Sequence, residues 1–409
     1  MKHKPPLSVQ ILIGLLLGVL AGLALQAAPD VARTYIKPFG VLFLNLIKMV
    51  VVPLVFASIT VGTCGLGDAK KVGRIGGKTI LFYLCTTALA VTLGLLAANL
   101  FPVGRGLGQV AQESAGAAGT TVSVADTLLN IVPTNPVAAL AEGNMLQIIF
   151  FALCLGGAIL LIGEKGLPLL AVCDSLAEAM YALTGFIMKL APVAVFALIA
   201  PVVAELGPRV LLAFLGVILV VYGACLLHML VGYSIAVGGI ARVNPLTFFR
   251  TALPALVFAF SSASSAGTLP FSMEAARRLG VPAPVRSFVL PLGATINMDG
   301  TAIYQGVCAV FIATAYGIDL NIGQMLTIVL TATLASIGTA GVPGAGMVML
   351  AMVLQSVNVP VEGIALVAGI DRIFDMGRTT VNITGDAACA IIVSKMEDRK
   401  AARTKGVLG

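Results

Sequence analysis

The chain alternates long apolar runs with short polar stretches. Three runs, SVQILIGLLLGVLAGLALQA (8 to 27), TILFYLCTTALAVTLGLLAANLF (79 to 101) and VLLAFLGVILVVYGACLLHMLVGYSIAVGG (210 to 239), have the length of about 20 residues or more that a membrane-crossing helix requires. Further apolar segments at about 37 to 63, holding Lys48 and Pro53, and about 168 to 204 predict additional spans. The basic stretch GDAKKVGRIGGK (67 to 78) reads as a loop between two of them, and the Gly, Ala and Ser rich residues 102 to 125 read as a flexible external loop. The first apolar run is too long for a cleaved leader and lacks a small-residue cleavage site placed to end it.

From residue 244 the pattern changes. FAFSSASSAGTLPFS (258 to 272) is a small-residue tract between apolar arms, with Arg250, Arg277 and Arg278 at the outer ends. Basic residues at both ends predict a hairpin that enters and leaves on the cytoplasmic side. An apolar helix follows, interrupted by TINMDGT (295 to 301), where Asn297, Asp299 and Gly300 break the span and free backbone carbonyls. ASIGTAGVPGAGMVML (335 to 350) then repeats the small-residue tip and leads to a second polar segment ending in NITGD. The last third therefore reads twice as a hairpin tip followed by a broken polar helix, the pattern that points to a midplane transport site. Each tip alone is equally compatible with close helix packing by small residues; the repeated order favours the site.

The second polar segment is DRIFDMGRTTVNITGD (371 to 386), set between apolar flanks. On a helix, Asp371, Asp375, Arg378, Asn382 and Asp386 fall on one face, and Arg372 falls off it. A mid-membrane charge costs about 2.5–3.5 kcal/mol, so the four charges of the stripe together would cost about 10 kcal/mol without partners. A structural ion-pair ladder would balance acids and bases, whereas the stripe holds three acids and one base. Carboxylates for cations beside a guanidinium for an anion suit a zwitterionic or acidic solute carried with metal ions.

Composition agrees with the pattern. Hydrophobic residues make up 59% of the chain and charged ones 11%, and the mean hydropathy is +1.04, which excludes an ordinary globular domain. The net charge of +7 resides in loops and ends, so it indicates both termini in the cytoplasm and no nucleic-acid partner. The seven cysteines are isolated, supporting neither a disulfide framework nor a zinc site, and His228 reads as a packing residue. Tyr83, Thr86 and Thr87 share one face of the third span, where hydroxyls commonly bond back to their own helix. No Ser-His, Cys-His or metal-binding His cluster supports an enzyme.

With SSASSAGTLP, NMDGT, SIGTAGVPGAG and DMGRTTVNITGD in this order, the chain resembles, over nearly its full length, the glutamate transporter family of dicarboxylate and amino-acid:cation symporters. The resemblance implies an all-α polytopic membrane protein with eight transmembrane helices, two re-entrant hairpins (about 244–280 and 318–358) and inverted repeats, assembled as a homotrimer in the inner membrane. It implies scaffold parts at about 8–66 and 126–204, and a transport domain at about 77–101 and 209–396 that moves as an elevator. The implied substrate contacts are Arg378 to the side-chain carboxylate, Asp375 to the amine, then Thr301, Thr379 and Asn382, with Ser265, Val342 and Gly346 at the hairpin tips. The implied sodium ligands are Asp386 with the carbonyls of Gly293, Asn297 and Asn382 at one site, the carbonyls of Thr295, Ser336, Ile337 and Thr339 at a second under the gate, and Tyr83, Thr86, Thr87, Asn297 and Asp299 at a third, with Met298 as a further ligand. Oxygen ligands of this kind suit hard cations.

Some family positions depart. Ala263 and Met376 stand where relatives place a second arginine, and Gln305 stands where animal members carry a proton-coupling glutamate. The leading expectation is sodium-coupled uptake of L-aspartate or L-glutamate with no other cofactor. Proton-coupled symport, a C4-dicarboxylate carrier and an ion channel are the alternatives. Arg378 argues against neutral amino acids, and Asp375 against dicarboxylates without an amine.

Overall fold

Where the apolar runs lie, the backbone is helical. The structure, a computed structural model, describes residues 7–72, 74–101, 103–104, 131–207, 209–337 and 345–407; among these residues there is no strand. The first half holds α1 (Leu7–Ala24), α2 (Lys37–Val72), α3 (Arg74–Leu100), a short α4 (Pro136–Glu142), α5 (Met145–Ile162), α6 (Leu167–Met188) and α7 (Ala191–Leu206). The second holds α8 (Arg209–Leu227), α9 (Pro245–Ser262), α10 (Ser265–Arg278), α11 (Ala283–Ile296), α12 (Asp299–Ala315), α13 (Ile322–Ala335), α14 (Ala345–Ser356) and α15 (Asp371–Val407).

Among the described residues, four helical stretches, Pro29–Cys64, Ile75–Leu100, Gln147–Ile187 and Leu211–Ala241, are long and apolar enough to cross a membrane. Large apolar side chains such as Leu16, Leu81, Leu89, Leu96 and Leu212 are exposed on the outside of the packed helices. A surface of that kind is stable against lipid rather than water.

Several elements differ from the sequence reading. The basic stretch 67–78 is helical on both sides of residue 73 instead of forming a loop; it has no proline, and lysine and arginine are good helix formers. The span read at 168 to 204 is two helices, α6 and α7, parted at Lys189–Leu190. Pro192, in the first turn of α7, brings no N–H to continue the ladder of α6. Beyond α8 the chain passes through two π-helical turns, His228–Gly232 and Ala236–Ala241.

The tract at 258 to 272 does form a helical hairpin. Arms α9 and α10 are joined at Ala263, whose φ of 51° lies in the left-handed region, and the Ser264 hydroxyl caps α10 by accepting from the Gly267 N–H at 3.1 Å. The TINMDGT break is present as well. α11 ends at Ile296, Asn297 is extended with ψ 100°, and α12 begins at Asp299. The second hairpin has arms α13 and α14, while its tip, with Thr339 and Val342, lies outside the described residues. The second polar break does not occur, because α15 runs uninterrupted through NITGD. Gly385 serves close approach there: a Cβ on it would collide with the Asn297 amide and the Tyr233 hydroxyl.

Packing gathers these pieces around α15, which lies against α9, α10, α11 and α12, with α3 and α8 beside it. α3 lies along α12, where Gly94 and Gly306 let the two backbones meet. In the first half α1 packs along α7. Gly14, Gly18 and Gly22, four residues apart, face Pro192, Phe196 and Ala200, the small-residue spacing that lets membrane helices touch.

Candidate substrate and cation site

The polar face of α15 is divided into two parts. At its N-terminal end Arg378 is buried, with 2% of its surface exposed. Its Nη1 donates to Asp371 Oδ1 at 2.9 Å and its Nε to Asp375 Oδ1 at 2.9 Å, while Nη2 reaches Asp371 Oδ2 at 3.5 Å. Its guanidinium carbon lies 4.7 Å from the centre of the Tyr304 ring, within cation–π range. The helical register places the two carboxylates: Asp375 is one turn and Asp371 two turns before Arg378, while Tyr304 comes from α12.

Two glycines press backbone onto this arginine. A Cβ on Gly300 would strike the Arg378 backbone, and a Cβ on Gly346 would strike its guanidinium, so the start of α14 lies directly over the charge. Thr379 is buried beside it on α15, and Ser265 is buried at the start of α10.

One turn further on, Asn382 stitches α15 to the break. Its Oδ1 accepts from the Gly300 N–H at 2.8 Å, and its Nδ2 lies 3.4 Å from Thr301 Oγ1 and 3.3 Å from Met298 Sδ. Its backbone carbonyl accepts from Asn297 Nδ2 at 2.8 Å.

Below this the carboxylates lack cationic partners on the scale seen around Arg378. Asp386, 1% exposed, accepts from Asn297 Nδ2 at 2.9 Å, and among the described residues no Lys, Arg or His pairs with it. Asp299, fully buried, accepts from Thr87 Oγ1 at 2.6 Å and from the Tyr233 hydroxyl at 2.7 Å, and lies 3.2 Å from His228 Nε2. Asn297 Oδ1 is buried and has no hydrogen-bond partner among the described residues. An orphaned carbonyl oxygen beside buried carboxylates is an environment for a hard cation, which can replace the missing donors.

Gly293 brings the parts together. A Cβ there would collide with Asp386 Oδ1 and the Tyr83 hydroxyl, and its carbonyl accepts the Asn297 N–H at 2.8 Å. Tyr83 donates to the Val289 carbonyl at 3.2 Å. Thr86 bonds back to the Tyr83 carbonyl of its own helix at 3.2 Å, the behaviour ordinary for membrane hydroxyls, and Thr87 alone of the three reaches Asp299. At the break the Thr295 hydroxyl is exposed and bonded to Leu292, while Ser336 and Ile337 are buried at the end of α13.

The sequence profile of the sodium:dicarboxylate symporter family matches residues 7–396. The chain belongs to that family. It is therefore an integral membrane transporter of the symport type and not an enzyme. A proton/sodium-glutamate symport protein of Geobacillus stearothermophilus is 42% identical over 406 residues, covering 97% of this chain and 95% of its own. A proton/glutamate-aspartate symporter of Escherichia coli (strain K12) is 40% identical over 420 residues, covering 98% and 95%. A C4-dicarboxylate transport protein of Bacillus subtilis (strain 168) is 35% identical over 408 residues, covering 97% and 95%.

Within this family member, the sequence reading omitted Asp371 as a site residue although it lies on the stripe, and it set His228 aside as packing. The π turn at His228–Gly232 explains the second omission. Five residues apart on an ordinary helix point about 140° away from one another, whereas here His228 and Tyr233 share a face, with ring centres 4.9 Å apart, and both reach Asp299. Tyr304 carries no sequence signal beyond its place four residues after the NMDG break.

Proposed function

We propose that the chain is a sodium-coupled symporter for an acidic amino acid, L-aspartate or L-glutamate. The observation that carries this reading is the division of the polar face. Arg378, set between two carboxylates, is suited to an α-amino acid with a second carboxylate, and Asp386, Asp299 and the free Asn297 Oδ1 are suited to cations. Relatives named for glutamate and aspartate symport support the substrate class.

In this reading the ligand's side-chain carboxylate takes up Arg378 at Nη2, whose 3.5 Å contact is the longest of the three to Asp371 and Asp375. Asp375 receives the α-amino group, and Thr301, Thr379 and Asn382 complete the polar wall. Ser265 and Gly346 stand at helix starts, where backbone N–H groups and the helix dipole favour an anion; Val342 would add a contact from the second tip. Sodium ions are carried with the substrate at Asp386, Asn297, Asn382 and Gly293, at Asp299, Asn297, Tyr83, Thr86 and Thr87, and at Thr295, Ser336, Ile337 and Thr339, with Met298 as a further ligand. Cations there offset the buried negative charge, so substrate and cation loading support each other.

The wider arrangement belongs to the same proposal. Eight spans and two re-entrant hairpins, both termini cytoplasmic, would sit in the inner membrane as a homotrimer. Elevator motion is supported by the packing, because α15 holds both arms of the first hairpin and both halves of the broken helix and so would carry the site as one body.

Competition tests the substrate class. Uptake of labelled L-aspartate into proteoliposomes is expected to be blocked by unlabelled glutamate or aspartate and to resist succinate and asparagine at the same concentration. Succinate competing as well as glutamate would replace the amino acid with a plain C4-dicarboxylate.

A further inference from the structure

We propose that Arg372 is a positioning residue that fastens the tip of the first hairpin to α15 and sets the charge of the substrate site. The inference rests on the reading of Asp375 and Arg378 given above.

Arg372 Nη2 donates to the Ser262 carbonyl at 3.2 Å, across 110 residues of chain, and Nη1 lies 3.7 Å from Asp375 Oδ2. Ser262 is the last residue of α9, and Ala263 after it is left-handed. Its carbonyl is thus one of those a helix end leaves without an intrahelical donor, at the negative pole of the helix dipole. A guanidinium is the side chain best suited to bond such a carbonyl and hold a carboxylate at once.

Asp375 is consequently held from two sides, by Arg378 Nε on Oδ1 and by Arg372 on Oδ2. The first turns of α15 then contain two acids, Asp371 and Asp375, and two bases, Arg372 and Arg378, which cancel. Without Arg372 the same site carries one net negative charge. That charge opposes a substrate with two carboxylates and one amine, and affects a neutral amide analogue far less.

Arg372 therefore acts through Asp375 and the hairpin tip, and its contribution is read as discrimination by charge. The test compares wild type, Arg372→Gln and Arg372→Lys in proteoliposomes, measuring the KM for L-aspartate and the inhibition constant of L-asparagine. Arg372→Gln is expected to raise the aspartate KM by at least about tenfold while leaving the asparagine constant within about threefold, narrowing the ratio between them. Arg372→Lys, which keeps the charge, is expected to restore most of that ratio, and it serves as the working variant should the glutamine protein fail to assemble. Wild-type protein that takes up no acidic amino acid overturns the reading of the site and the inference with it. Acidic amino acid uptake with a ratio unmoved in Arg372→Gln, or narrowed equally in Arg372→Lys, overturns the inference alone.

Discussion

Arg378→Gln is expected to lower kcat/KM for L-aspartate and L-glutamate by at least about 100-fold. Breaking a buried ion pair by removing one partner costs about 3–5 kcal/mol, and each 1.4 kcal/mol is a factor of about ten. Two effects add in the same direction. The ligand loses the guanidinium that would hold its side-chain carboxylate, and Asp371 and Asp375 lose the cation they share at 2.9 Å. Arg372 remains beside Asp375, so the loss of charge falls hardest on Asp371. Uptake rates normalised to reconstituted protein check the result. Retention of wild-type affinity for aspartate would move the substrate away from Arg378.

Asp386→Asn is expected to raise the sodium concentration for half-maximal uptake by about ten- to 100-fold, from the loss of one charged ligand worth about 1.5–3 kcal/mol. The substitution is nearly isosteric, and the amide oxygen can still accept from Asn297 Nδ2, so the stitching between α11 and α15 is retained. What changes is the charge next to the free Asn297 Oδ1. A sodium titration of uptake at constant ionic strength and fixed pH reads the shift. Sodium dependence identical to wild type would exclude Asp386 from the cation path.

Much of this arrangement was legible before the fold was known. The stripe from Asp371 to Asp386 required a continuous helix to align its charges, and α15 supplies one. The NMDG break was legible because an asparagine, an aspartate and a glycine interrupt an apolar span together. NITGD looked like a second break for the same compositional reason, yet its glycine lies inside a helix and admits Asn297 and Tyr233 from neighbouring elements. Glycine that bends a chain and glycine that admits a neighbour look alike in sequence.

The partners of Arg378 were half legible. Asp375 and Asp371 follow from helical spacing, whereas Tyr304 comes from another helix and only tertiary packing brings it under the guanidinium. Arg372 lies off the stripe by a helical projection. Its three-residue spacing to Asp375 follows from the helix, whereas its reach to the Ser262 carbonyl at the hairpin tip crosses 110 residues and no periodicity reports it. The His228 and Tyr233 pair depends on a π turn, whose extra residue shifts the face that each presents.

The central claim is that buried carboxylates with too few cationic partners take up sodium together with an acidic amino acid. The most direct test is uptake of labelled L-aspartate into proteoliposomes of the wild-type chain, driven either by an inward sodium gradient at equal internal and external pH or, with choline in place of sodium, by an inward proton gradient. The account predicts concentrative uptake with sodium and none above the equilibrium level with choline. Equal concentrative uptake in choline, driven by a proton gradient, would contradict it and assign Asp299 and Asp386 to a cation other than sodium.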